Sequence, residues 1–161
     1  MNATRKVVIL LVGLVMAWPF WASAQEKPSG NMQFVVEKIR ADKKLFIAEN
    51  MQLNGAEAKA FWPVYEDYQN ELFLIRTRTL RLIDNYAEAY EKMTSDTAKK
   101  LLEEYMTIEN LWPKLRQTYL PRFRKALPDV KVVRYYQLEN KINAALIYGL
   151  AGKIPLIKGG K

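Results

Sequence analysis

One run of residues constrains this chain more than any other. Phe61, Tyr65, Tyr68, Leu72, Ile75, Thr79, Leu82, Tyr86, Ala89 and Met93 recur at alternating spacings of four and three, and only Thr79 breaks the apolar series. Side chains so spaced share one face of an α-helix. The spacing describes a narrow, coiled-coil-like seam rather than the broad stripe of an ordinary surface helix. Such a helix runs roughly 48 Å at about 1.5 Å per residue, and it needs packing partners along much of that length.

A second apolar line lies beside the first: Phe73, Leu80, Ile83, Ala87 and Tyr90, spaced seven, three, four and three. Together the two lines make a sector wider than one neighbouring helix covers. Either the helix is sandwiched between two partners of its own fold, or part of the sector meets a dimer mate or a client protein.

The punctuation around this helix is explicit. Asn54 is placed as an N-cap and Glu57, three residues on, completes a capping box, so the helix is expected from Gly55 to Met93. Pro63 in its third turn removes one hydrogen bond and kinks the axis. Thr94-Ser95-Asp96-Thr97 ends it with polar capping residues. A further helix is expected over Asp96–Ala126, with Ala98, Leu101, Tyr105, Ile108, Trp112, Leu115 and Tyr119 at the same three/four spacing. Leu127-Pro128-Asp129 is a turn that opens a last helix to about Leu150, with Pro128 near the first turn, where its missing N–H costs little.

Ahead of the long helix, Gln33–Met51 reads as a helix with Val36, Ile39, Leu45, Phe46 and Ile47 apolar. Its seam is interrupted by Asp42, Lys43 and Lys44, which predicts a partly exposed helix packed along a neighbour. Ile154-Pro155-Leu156 is expected to tuck against the bundle, and 158–161 to form a flexible tail. The fold class expected is all-α: an elongated, kinked antiparallel helical hairpin or four-helix arrangement, dimeric. The domain organisation expected is a leader at 25–32 without structure and one helical domain at 33–157.

The first 24 residues are set apart. Arg5 and Lys6 precede an apolar run from Val7 to Trp21, and Ala22-Ser23-Ala24 supplies a small-x-small cleavage site before Gln25. This is the order of a secretory signal peptide, and the run is short against the roughly 20 residues that span a bilayer. Cleavage after Ala24 and a periplasmic location are therefore expected. Residues 1–24 carry two basic and no acidic residues, so the charge falls from +8 to +6 on processing. Export sets nucleic acid aside as a partner and leaves anionic lipid headgroups, acidic polypeptides, or a solvated basic surface.

The chain has no cysteine and no histidine. An exported protein of this kind holds together by core packing without disulfides. It also lacks the commonest ligands for zinc, copper and haem and the usual nucleophile–base pairs. Glu109 and Glu139 are carboxylates that nothing in the sequence brings together. No catalytic residue, metal site or cofactor is expected.

The candidate binding residues come from the apolar sector and its arginines: Arg76, Arg78 and Arg81 with Phe73, Leu80, Ile83 and Tyr90. Arginine beside apolar surface can stack on aromatic groups and pair with carboxylates. Ordinary pairing with Glu71, Glu103, Glu109 or Glu139 is the competing reading.

With a signal peptide, a helical, basic, cysteine-free chain, and helix starts at Leu53-Asn54-Gly55-Ala56-Glu57 and Leu127-Pro128-Asp129-Val130-Lys131, the sequence resembles the LTxxQ-motif (Spy/CpxP-like) periplasmic proteins. The first site keeps the leucine, with Asn54 and Glu57 as chemically similar replacements; the second keeps only the leucine. Phe-Trp-Pro-x-Tyr and Tyr-Tyr-Gln-Leu-Glu-Asn-Lys look more like another branch of bacterial exported proteins. The resemblance implies a curved helical dimer that holds unfolding proteins without ATP, or binds an envelope-stress sensor. Three functions are thus in play: a chaperone-like binder of unfolded envelope proteins, an accessory regulator of a membrane sensor, and a structural or lipid-surface protein.

Overall fold

The computed structural model describes residues 29–157, and side chains from Ile39 onward. The expected signal peptide and the 158–161 tail lie outside the described residues. Four α-helices make up the fold, with no strand among the described residues: α1 (Ser29–Met51), α2 (Gly55–Ala89), α3 (Ser95–Ala126) and α4 (Asp129–Ala151). The class is all-α.

The described residues fall into two compact units. One combines the chain up to Leu53 with Val133–Lys153; the other combines Asn54–Val132 with the residues from Ile154 on. Helix α4 contributes its first turn to the second unit and the remainder to the first.

The second unit is an antiparallel hairpin of α2 and α3. Asn54 caps α2: its Oδ1 accepts from the Glu57 N–H and Glu57 Oε2 accepts from the Asn54 N–H, both at 2.9 Å. This reciprocal pair satisfies two donors that the first helical turn leaves over. Pro63 lies inside α2, and Pro113 and Pro121 inside α3. After Ala89 the chain tightens into a 3₁₀ turn at Tyr90–Lys92, so the α-helix stops short of Met93. Thr94 then caps α3, its hydroxyl accepting from the Thr97 N–H at 3.2 Å.

The seam of α2 is buried from Phe61 through Tyr65, Tyr68 and Leu72 to Ile75, against Ile108, Leu115, Tyr119 and Phe123 of α3. Its centre is aromatic. The Phe61 and Phe123 rings lie 5.7 Å apart, and Tyr68 meets Tyr119 edge-on at 5.3 Å and Phe123 at 5.7 Å. Edge-on pairs of this kind add about 0.5–1.5 kcal/mol each beyond the area they bury. Leu127 and Val132 are also buried in this unit.

The first unit pairs α1 with α4. Phe46, Ile47 and Met51 are buried on α1, and Tyr135, Leu138 and Ile142 on α4. The helices run antiparallel: Lys43 of α1 meets Glu139 of α4, and further along α1 the Asn50 carbonyl accepts from Arg134 Nε at 2.6 Å. The helix read as partly exposed thus buries one of the lysines that interrupted its seam. Met51 is followed by Gln52 at φ 49°, a left-handed residue of the kind that ends helices.

Two boundaries differ from expectation. Helix α1 starts at Ser29, inside the stretch read as a leader; once a helix is nucleated, each added residue gains a hydrogen bond for little further ordering. At the other end, Leu156 does not tuck in but is 89% exposed. The segment is held instead by its backbone, the Pro155 carbonyl accepting from the Tyr86 hydroxyl at 2.7 Å.

Candidate functional site

Several polar contacts across the hairpin lie on one flank. Arg78 grips Glu104 through Nε and a second nitrogen, the latter at 2.7 Å. Arg122 pairs with Asp67 and sits with its guanidinium carbon 4.7 Å from the centre of the Tyr119 ring. The Tyr119 hydroxyl donates to Glu71 Oε1 at 2.6 Å. On a helix turning about 100° per residue, Asp67, Glu71 and Arg78 lie to one side of the α2 seam. Glu104 and Arg122 lie to the matching side of the α3 seam.

The opposite flank carries the second apolar line. Phe73 and Leu80 are exposed, and Ile83 and Tyr90 half-buried. Helix α3 turns its own apolar residues to the same flank: Leu102, Tyr105 and Met106 are 61%, 48% and 53% exposed. Their placement follows from the ion pairs, since in an antiparallel pair matching sides of the two seams face the same way. One flank of the hairpin thus carries Arg78–Glu104 and Arg122–Asp67, and the other carries the exposed apolar residues of both helices.

This arrangement sorts the candidate residues. Phe73, Leu80, Ile83 and Tyr90 share one side of α2 with Arg76, which is half-buried. Arg78 and Arg81 lie around the other side of α2, so the three arginines do not form one surface. Arg78 is committed to Glu104, which raises the guanidinium pKa and lowers that of the carboxyl, the shared hydrogen bond being the main cause in each case. Arg81 is exposed. Asn54 and Glu57 are at the α2 N-terminus, where Lys131 also donates to Glu57 Oε2. The contributions of Leu102 and Met106 were not anticipated, because neither lies in the α3 seam; a second apolar line drawn beside that seam would have found them.

At the tip of the hairpin, the rings of Tyr86 and Tyr90 lie 5.9 Å apart. Tyr86 thereby links the end of the apolar flank to the Pro155 carbonyl. Glu109 is exposed in this unit, and Glu139 in the other unit is bound to Lys43. Among the described residues no group of three or more His, Cys, Asp or Glu side chains is placed to hold a metal, and no helix is long and apolar enough to cross a membrane. Comparison with family models, curated proteins and solved structures finds no match to this chain.

Proposed function

We propose that this chain is a periplasmic, ATP-independent, chaperone-like protein that binds unfolded or stress-damaged envelope proteins along the apolar flank of its α2–α3 hairpin. The reading is supported above all by the asymmetry of that hairpin. One flank is closed by Arg78–Glu104 and Arg122–Asp67, while the other leaves Phe73, Leu80, Leu102, Tyr105 and Met106 in solvent. Apolar residues left exposed along one flank of an exported helical protein offer a surface to apolar segments of other chains. Methionine and aromatic side chains adapt to many partners, which suits clients of varied sequence. The likeness to LTxxQ-motif proteins points the same way, and the reading includes no catalysis and no cofactor.

The test is light scattering of a heat-aggregating client mixed with purified 25–161, without ATP. Suppression near one protein per client, lost in Leu80→Ser/Leu102→Ser/Met106→Ser, supports the reading. No suppression by a well-folded wild type overturns it. Recovery of a single stoichiometric partner from envelope extract would then favour the accessory regulator.

A further inference from the structure

We propose that Tyr86 at the hairpin tip is a backbone-reading site for apolar peptide, and that the chain's own segment Ile154–Ile157 occupies it as a displaceable internal competitor. This rests on the reading of the hairpin as a client-binding surface.

The chemistry of the contact carries the inference. The Tyr86 hydroxyl donates to a main-chain carbonyl, that of Pro155. Such a bond recognises a peptide unit whatever side chain accompanies it. Proline also keeps this segment out of helix: its ring removes the N–H and biases Ile154 toward extended conformations. The carbonyl is thereby offered to a partner outside the segment.

The side chains show how lightly the segment is held. A permanent strap would bury its apolar residues, but Leu156 is 89% exposed, Ile157 51% and Ile154 36%. An apolar segment seated by its carbonyl beside the Tyr86–Tyr90 pair resembles what an unfolded client would present there. Being tethered, it competes at an effective concentration on the order of 1 mM. Against a free peptide of about 0.1 mM affinity, that occupancy weakens apparent binding by roughly tenfold.

The experiment uses full 25–161 and a fluorescent peptide of residues 152–161, read by anisotropy. Ile154→Asp/Ile157→Asp alters the two partly covered side chains to release the segment. This variant is expected to bind the peptide about tenfold more tightly than wild type, and adding Tyr86→Phe, with helicity unchanged, to remove that gain. Equal binding by wild type and the released variant overturns the proposal, as does a gain that survives Tyr86→Phe. Client suppression keeps the two readings separable. If wild type and the released variant suppress aggregation equally and bind peptide equally, the competitor fails while the chaperone reading stands. If peptide binding behaves as expected but no client is suppressed, the chaperone reading fails and the Tyr86 site stands.

Discussion

Lys43 Nζ lies 2.8 Å from Glu139 Oε2 where α1 packs on α4, and the two residues are only 4% and 5% exposed. Two charges so far removed from water are tolerable only as a pair, since desolvation of either one is met by the other. Lys43→Met therefore takes the ammonium away from a buried carboxylate and is expected to cost about 3 kcal/mol. The double variant Lys43→Met/Glu139→Leu replaces the pair with apolar volume and should recover most of that loss. Urea titrations of the three proteins provide the check, and a double variant no better than the single one contradicts this account.

Tyr119 joins the aromatic core to the ion-paired flank. Burial first, and then its hydrogen bond to Glu71, push the phenol up to about 12. Because the folded value lies above the ordinary value near 10, the linked stability is fully present below about pH 10 and is lost as pH rises toward 12. Tyr119→Phe keeps the ring packing and leaves Glu71 exposed to water, so near neutrality it should cost only about 1 kcal/mol. The melting-temperature gap between wild type and Tyr119→Phe is expected to narrow between about pH 10 and 12.

Glu57 acts in the opposite pH range. The Lys131 ammonium first, and the Asn54 N–H second, hold its carboxyl below the usual range. A depressed carboxylate stabilises the fold above its unfolded value and loses that contribution as pH falls through the folded value. The stability gap between wild type and Lys131→Met should thus be constant above about pH 5 and close under acid conditions. Asn54→Ala removes the cap itself and should cost about 1 kcal/mol at neutral pH. Denaturant midpoints across an acid series measure both effects.

The α2 seam was legible because burial on a helix leaves a periodic trace. Phe61, Tyr65, Tyr68, Leu72 and Ile75 are all buried as their spacing demanded. Beyond Ile75 the same spacing continues, yet Thr79, Leu82, Tyr86 and Met93 are only half-buried. Periodicity gives the direction a side chain faces, not the depth of protein over it. Lys43 was misleading for a related reason: a lysine in a seam reads as an interruption until Glu139, 96 positions away, is seen beside it. The apolar flank needed both helices at once. The width of the α2 sector was visible, but only the pairing of α2 with α3 fixes which side stays open. Arg76, Arg78 and Arg81 look like one cluster in sequence, whereas helical rotation separates the first from the other two.

The Glu104 partner of Arg78 gives different expectations for charge reversal at Arg78 and at Arg81. Arg78→Glu places a carboxylate against Glu104 in the hairpin, so it should lower the melting temperature, and Arg78→Glu/Glu104→Arg should restore it. Arg81→Glu, at an exposed position, should change stability by no more than about 0.5 kcal/mol. Neither single reversal alters the apolar flank, so client suppression at a temperature where both proteins are folded should persist. Leu80→Ser/Leu102→Ser/Met106→Ser should remove suppression even at temperatures where the variant is folded, at a stability cost of about 3 kcal/mol from its three half-covered side chains. Circular-dichroism melts run beside aggregation assays separate the two behaviours. Suppression that depends on Arg81 but not on Leu102 or Met106 would move the binding surface to the ion-paired side of the hairpin.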